Sequence, residues 1–161
     1  MTPTAKPHFR SDITWKIHLR EIDFINWIKA RGRPTFFFDG TSKFNPGIVG
    51  AAGIIKNDSG ITLTTFEWSF GVQSKNRAEA LALYQGLCQL NNLNIQNAII
   101  IGDSSIIISL MVHNSPMANI ALEQIISRCR ILLSKMKDAS LYHILRSFKK
   151  EVDLFANHAC A

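Results

Sequence analysis

The 161-residue chain is poor in cysteine and in acidic residues, and it has no long apolar run. Its three cysteines, Cys88, Cys129 and Cys160, lie far apart without a CxxC pair, which argues against both a disulfide framework and a zinc site. The apolar stretches 99–101 and 106–112 fall well short of the ~20 residues of a membrane span, so no membrane partner is expected. Nor does the opening, with Pro3, Lys6, Pro7 and Arg10, carry the apolar core of a secretory signal; a cytoplasmic or nuclear location is the expectation. Asp and Glu number 12 against 18 Lys and Arg, a net charge of +6. That balance suits a polyanion such as nucleic acid, although a basic soluble protein without such a partner has the same charge. The cations concentrate at 1–33 and 123–151, leaving the middle near neutral.

What the chain does have is 47 % apolar residues, enough for the core of one ordinary domain. Residues 1–12 read as an unstructured lead or the end of a linker. Ile13, Ile17, Ile22, Phe24, Ile25 and Ile28 then recur at helical spacing, with Asp12 before them and Gly32 and Pro34 after, which predicts an amphipathic helix over about 13–30. Residues 1–33 are therefore read as linker plus helix, and 34–161 as the main domain. Within it, strands are expected over 35–39, 49–56 and 61–70, with a turn at 40–47 and a hairpin turn at Asn57-Asp58-Ser59-Gly60. A helix over 76–90, a fully apolar strand at 98–101, helices at 105–113 and 120–135, a strand at 141–145 and a helix at 150–159 follow. The order is βββαβααβα after a leading helix, an α/β pattern.

Four acids stand in short, distinctive settings: Asp39 in Phe38-Asp39-Gly40, Glu79 in Asn76-Arg77-Ala78-Glu79-Ala80, Asp103 in Gly102-Asp103-Ser104 and Asp153 in Glu151-Val152-Asp153-Leu154. Asp39 and Asp103 close predicted strands, while Glu79 and Asp153 fall in the first turns of predicted helices. Such ends are where open α/β sheets keep their sites. Taken singly, Asp39 is also a turn former before glycine, Asp103 a helix cap, and Glu79 and Asp153 favourable charges at helix starts. Taken together, four converging carboxylates form the oxygen-rich site that divalent ions need, and two such ions can cut a phosphodiester.

These motifs, with the run Thr41-Ser42-Lys43-Phe44-Asn45-Pro46-Gly47 after the first and Gly50-Ala51-Ala52-Gly53 beyond it, resemble ribonuclease H of type 1 over about residues 35–161. The nearest likeness is to the ribonuclease H domain of plant reverse-transcriptase-like (non-LTR retroelement) proteins. The resemblance implies a ribonuclease H-like fold, a five-stranded mixed sheet in the order 3-2-1-4-5 with helices on both faces. It also implies that Asp39, Glu79, Asp103 and Asp153 are the catalytic, metal-binding acids, holding two Mg²⁺ ions, with Mn²⁺ as the alternative, and hydrolysing the RNA strand of an RNA/DNA hybrid. Ser42, Asn45, Asn76 and Glu79 match positions that contact the hybrid, where the 2′-hydroxyl tells RNA from DNA. Asn45 reads equally well as a plain turn residue before Pro46. A monomer, or one part of a larger reverse-transcriptase polyprotein, is implied.

The chain departs from the pattern at Phe44, where glycine is usual, and at Lys149, where asparagine is usual. It has no Gly-His loop before the last acid; His143 lies at a similar distance but inside a predicted strand. No separate basic protrusion is evident. Arg128, Arg130, Lys135, Lys137, Arg146, Lys149 and Lys150 are the cations that could serve instead. The competing expectation is a nucleic-acid-binding domain of the same fold with little turnover, and a third is another nuclease of the superfamily.

Overall fold

Strand β2 sets the architecture, because its aromatic residues supply both faces of the sheet. The structure is a computed structural model whose described residues are 9–12, 26, 28–43, 47–102, 104–113 and 119–143. They form β1 (Phe9–Asp12), the helical residues 28–31 (α1), β2 (Thr35–Lys43), β3 (Gly47–Lys56), β4 (Thr62–Gln73), α2 (Lys75–Asn92), β5 (Ile99–Gly102), α3 (Ser105–Val112), α4 (Ile120–Ser134) and β6 (Ala139–His143). The sheet order is β1-β6-β5-β2-β3-β4. β2, β3 and β4 are an antiparallel meander, whereas β5 runs parallel to β2, β6 to β5 and β1 to β6. Leaving β1 aside, this is the expected five-stranded order 3-2-1-4-5.

The sixth strand corrects, at residues 9–12, the reading of this segment as an unstructured lead or the end of a linker. Phe9 to Asp12 pair in parallel with Ala139 to Tyr142. Phe-Arg-Ser-Asp carries little strand propensity of its own; the open backbone edge of β6, more than a hundred residues away, makes it a strand. Of the helix expected over 13–30, only Asn26 and residues 28–30 are described, and they are helical. The expected helix over 150–159 lies outside the described residues.

Phe36 and Phe38 face one way and join Ala51, Ile55 and Phe66 of the sheet, Leu83, Leu87 and Leu90 of α2, Ile107 and Met111 of α3, and Ile126 and Leu133 of α4 in the main core. Phe37 faces the other way, with Ala52 and Ile54. The close seat of α2 on the sheet rests on Gly86. A methyl group there would lie 1.6 Å from Cζ of Phe36, so glycine is required in mid-helix despite a propensity cost of about 1 kcal/mol.

Several boundaries are set by side-chain caps. Ser74, Ser104 and Asn119 accept hydrogen bonds from the backbone N–H of Arg77, Ile107 and Leu122, at 3.2, 3.2 and 3.0 Å. Asn57 Oδ1 closes the β3–β4 turn by accepting from Ser59 N and Ile61 N, both at 2.9 Å. Arg33 ties the start of β2 to its neighbours: its guanidinium donates to the carbonyls of Asn97 (2.8 Å), Asp138 (2.7 Å) and Ala98 (3.4 Å) and to Ser140 Oγ (3.2 Å).

Candidate functional site

β2 does not stop at its carboxylate. It runs on to Lys43, paired with β3 throughout, so the expected turn at residue 40 is strand instead. What ends near Asp39 is the parallel pairing with β5, whose last pair is Phe38 with Gly102. Asp39 is thus the first residue of β2 past that neighbour. It sits opposite Ala52, on the Phe37 face, and is only 1 % exposed, with both carboxylate oxygens buried. Burial of an ionised carboxylate is costly unless a positive charge or good donors come with it.

Gly40 explains how α2 brings a second acid up to the backbone beside Asp39. A Cβ on Gly40 would meet the backbone N of Glu79 at 2.4 Å, the carbonyl carbon of Ala78 at 2.6 Å and Cγ of Glu79 at 2.8 Å. Here glycine is demanded by close approach of a helix to a strand, rather than by a turn. Only a residue without a side chain lets α2 lie so near β2 that Glu79 is a direct neighbour of the Asp39-Gly40 backbone.

Glu79 is the fifth residue of α2, which begins at Lys75 behind its cap Ser74, so it opens the second turn and not, as expected, the first. A role as a favourable charge at the helix start therefore fails for it, since that effect fades beyond the first turn. Its side chain is buried, 4 % exposed, and Oε1 lies 3.8 Å from the ammonium of Lys75. Two buried acids on neighbouring backbone offer hard oxygen donors of the kind Mg²⁺ and Mn²⁺ prefer, although among the described residues no third acid, histidine or cysteine joins them.

Neither described cysteine belongs to this group. Cys129 is buried under α2, its thiol 4.0 Å from the carbonyl of Ala80, and burial pushes its pKa far above the usual thiol range. It is a core residue without thiolate chemistry.

The sequence profile of the reverse transcriptase-like family matches residues 37–159, most of the chain and all of the acid motifs. The chain belongs to that family, within ribonuclease H type 1. Among solved structures, ribonuclease H1 of the halophilic archaeon Halobacterium salinarum is 25 % identical, with a TM-score of 0.73 over 79 % of this chain and 96 % of that one. The N-terminal ribonuclease H domain of a Mycobacterium tuberculosis protein, solved as a maltose-binding-protein fusion, is 22 % identical, with a TM-score of 0.76 over 80 % and 99 %. LC11 ribonuclease H1, solved in complex with an RNA/DNA hybrid, is 21 % identical, with a TM-score of 0.73 over 80 % and 96 %. No curated protein sequence matches the chain.

In this ribonuclease H-like chain the remaining expected site residues fall as follows. Ser42 lies in β2, paired with Val49, and so belongs to a strand rather than to the turn expected to follow it. Asn76 is the second residue of α2 and is half-buried. Asn45, Asp103 and Asp153 lie outside the described residues. The neighbours of Asp103 are described: Gly102 ends β5, and Ser104 is the cap of α3, so the capping role considered for Asp103 belongs to Ser104. His143 is the last residue of β6, opposite Gly102 and half-buried.

Two of the counted cations are spent inside the fold. Arg33 clamps β5 and β6, and Arg130 donates to the carbonyls of Leu110 and His113, closing the C-terminal end of α3. Sequence reasoning assigned no such role to either, and it read the glycine beside Asp39 as a turn. The Asp-Gly pair and Glu79 were each visible as signals; the close contact of Gly40 with α2 at Glu79, thirty-nine positions on, was not.

Proposed function

We propose that the chain is a metal-dependent endonuclease that hydrolyses the RNA strand of RNA/DNA hybrids. The observation that carries this reading is the juxtaposition made by Gly40, which seats buried Glu79 against the backbone that bears buried Asp39. Asp39 and Glu79 would hold a divalent ion, Mg²⁺ with Mn²⁺ as the alternative. Asp103, next after the residue that pairs with Phe38, and Asp153 would complete the four-acid set expected from sequence. Bound there, two such ions supply an acidified, oriented water and charge stabilisation at the departing 3′ oxygen.

The chain's own residues have simpler tasks. The carboxylates fix position and offset positive charge, and because α2 and β2 are rigid elements packed through Gly86 and Gly40, their separation is preset. Burial keeps bulk water from competing for them. Ser42, Asn45 and Asn76, near the same strand end and helix start in sequence, are assigned to the hybrid's 2′-hydroxyl side. Membership in the ribonuclease H type 1 family and the solved relative bound to an RNA/DNA hybrid support this substrate class.

A second reading, a hybrid-binding domain without turnover, draws support from Lys75, whose ammonium stands 3.8 Å from a carboxylate that the metal would need. One assay separates the two. A labelled RNA/DNA hybrid is incubated with Mg²⁺ or Mn²⁺ and wild-type protein or its Asp103→Asn variant. Cleavage by the wild type alone, leaving 5′-phosphate and 3′-hydroxyl ends, is the expected result. Binding without cleavage would establish the second reading, and cleavage that survives the substitution would place the chemistry elsewhere.

A further inference from the structure

Lys75 stands where helix chemistry argues against it. It is the first residue of α2, directly behind the cap Ser74, and the first turn holds Arg77 as a second cation but no acid. The start of a helix is the positive end of its dipole, so a cation there is repelled. The order of the pair is also the weaker one. Lys75 precedes Glu79 by four residues, whereas a glutamate ahead of its lysine is the favourable arrangement.

The burial of Glu79 supplies the reason that local rules do not. Its side chain is 5 % exposed against 36 % for Lys75, and the ammonium lies 3.8 Å from Oε1. An ion pair between two solvated side chains is worth little, but here one partner is out of water, where an ionised group needs a countercharge. The need is greater because Glu79 packs against the backbone that bears Asp39, itself 1 % exposed. Lys75 brings a positive charge to that place on a flexible stem that stays partly in solvent, so the ammonium is free to leave without disturbing the core.

We propose that Lys75 is the counter-ion of the metal-free site: its ammonium balances Glu79 until a divalent ion takes the carboxylate, and then turns out to solvent. The proposal rests on the metal reading given above and deepens it, since metal binding becomes an exchange of one cation for another. Two consequences are separable. Lys75 weakens metal affinity, because the ion must displace it, and Lys75 stabilises the fold only while the metal is absent.

The test titrates the full chain with Mn²⁺ by calorimetry and melts it in EDTA and in saturating Mn²⁺, so no readout depends on cleavage. Lys75→Met keeps the apolar stem and removes the charge. It is expected to bind Mn²⁺ about three- to tenfold more tightly than wild type. Its Tm should fall below wild type in EDTA, and the difference should vanish in saturating Mn²⁺. Lys75→Arg, which keeps the charge, should follow wild type in both measurements. In a Glu79→Gln background, where only the unfavourable dipole term is left to the lysine, Lys75→Met should no longer lower the metal-free Tm. Wild-type Mn²⁺ binding that Lys75→Met leaves unchanged or weakens, or a Tm loss that persists in saturating Mn²⁺, would overturn the counter-ion and leave the metal site standing. Failure of both wild type and Lys75→Met to bind Mn²⁺ would overturn the two together.

Discussion

Replacing Gly40 with alanine tests the geometry at its tightest point. The added methyl would meet backbone atoms of α2 at 2.4 and 2.6 Å, where ordinary contact begins at 3.4 Å. Backbone cannot rotate aside as a side-chain tip can, so β2 and the start of α2 must separate by about 1 Å. The far end of α2 is held by Gly86 on Phe36 and by Leu83, Leu87 and Leu90 in the core, so the helix is expected to tilt about that anchor and carry Glu79 away from Asp39. Overpacking of this kind costs about 1–3 kcal/mol. For a chain of this length that corresponds to a fall in Tm of roughly 3–10 °C. Displacing a catalytic group by ~1 Å costs about a hundredfold in rate, so Gly40→Ala should lose far more activity than stability. Gly86→Ala is the control: its methyl would strike the Phe36 ring at 1.6 Å, damaging the core but leaving the two acids adjacent. Differential scanning fluorimetry and initial rates of hybrid cleavage, both taken well below either melting point, give the comparison. Gly40→Ala with wild-type rate and Tm, or the two variants losing activity in equal proportion to stability, would refute the reasoning.

Arg33→Ala should lower stability by about 2–4 kcal/mol, read from urea midpoints, because it leaves three carbonyls and Ser140 Oγ without their shared donor. Lysine should restore little, since one ammonium cannot span four acceptors, and the salt slope of hybrid binding should not change. Cys129 predicts a pH dependence. Burial keeps its thiol protonated in the folded chain while the unfolded thiol ionises near pH ~8.5, so above that pH the folded state holds the extra proton. Its contribution is fully present below ~8.5 and is lost as pH rises, at about 1.4 kcal/mol per unit. Denaturant titrations between pH 8 and 10 should show that slope diminished by one proton in Cys129→Ala; identical slopes would contradict it.

Most of the sheet was legible because its signals are local. The β-branched and aromatic start of β2, the alternation in β4, the Asn57 turn and the apolar Ile99–Ile101 segment each declare themselves within ten residues. β1 was not, since Phe9–Asp12 become a strand only through pairing with β6. The candidate site divides the same way. Asp39 and Glu79 stood out by their motifs, but the reason they meet lies in a contact between Gly40 and α2 that no one-dimensional pattern encodes. Charge counting likewise treated Arg33 and Arg130 as free cations, when three-dimensional neighbours had already claimed them.

The central claim is that Asp39 and Glu79 act as one metal-binding unit, and calorimetric titration of the protein with Mn²⁺ tests it most directly. Asp39→Asn and Glu79→Gln, singly and together, form a double-mutant cycle. If both acids hold the same ion, each single substitution should abolish most of the binding and the double substitution should add little. Independent, additive losses, or Mn²⁺ binding that neither substitution weakens, would contradict the account.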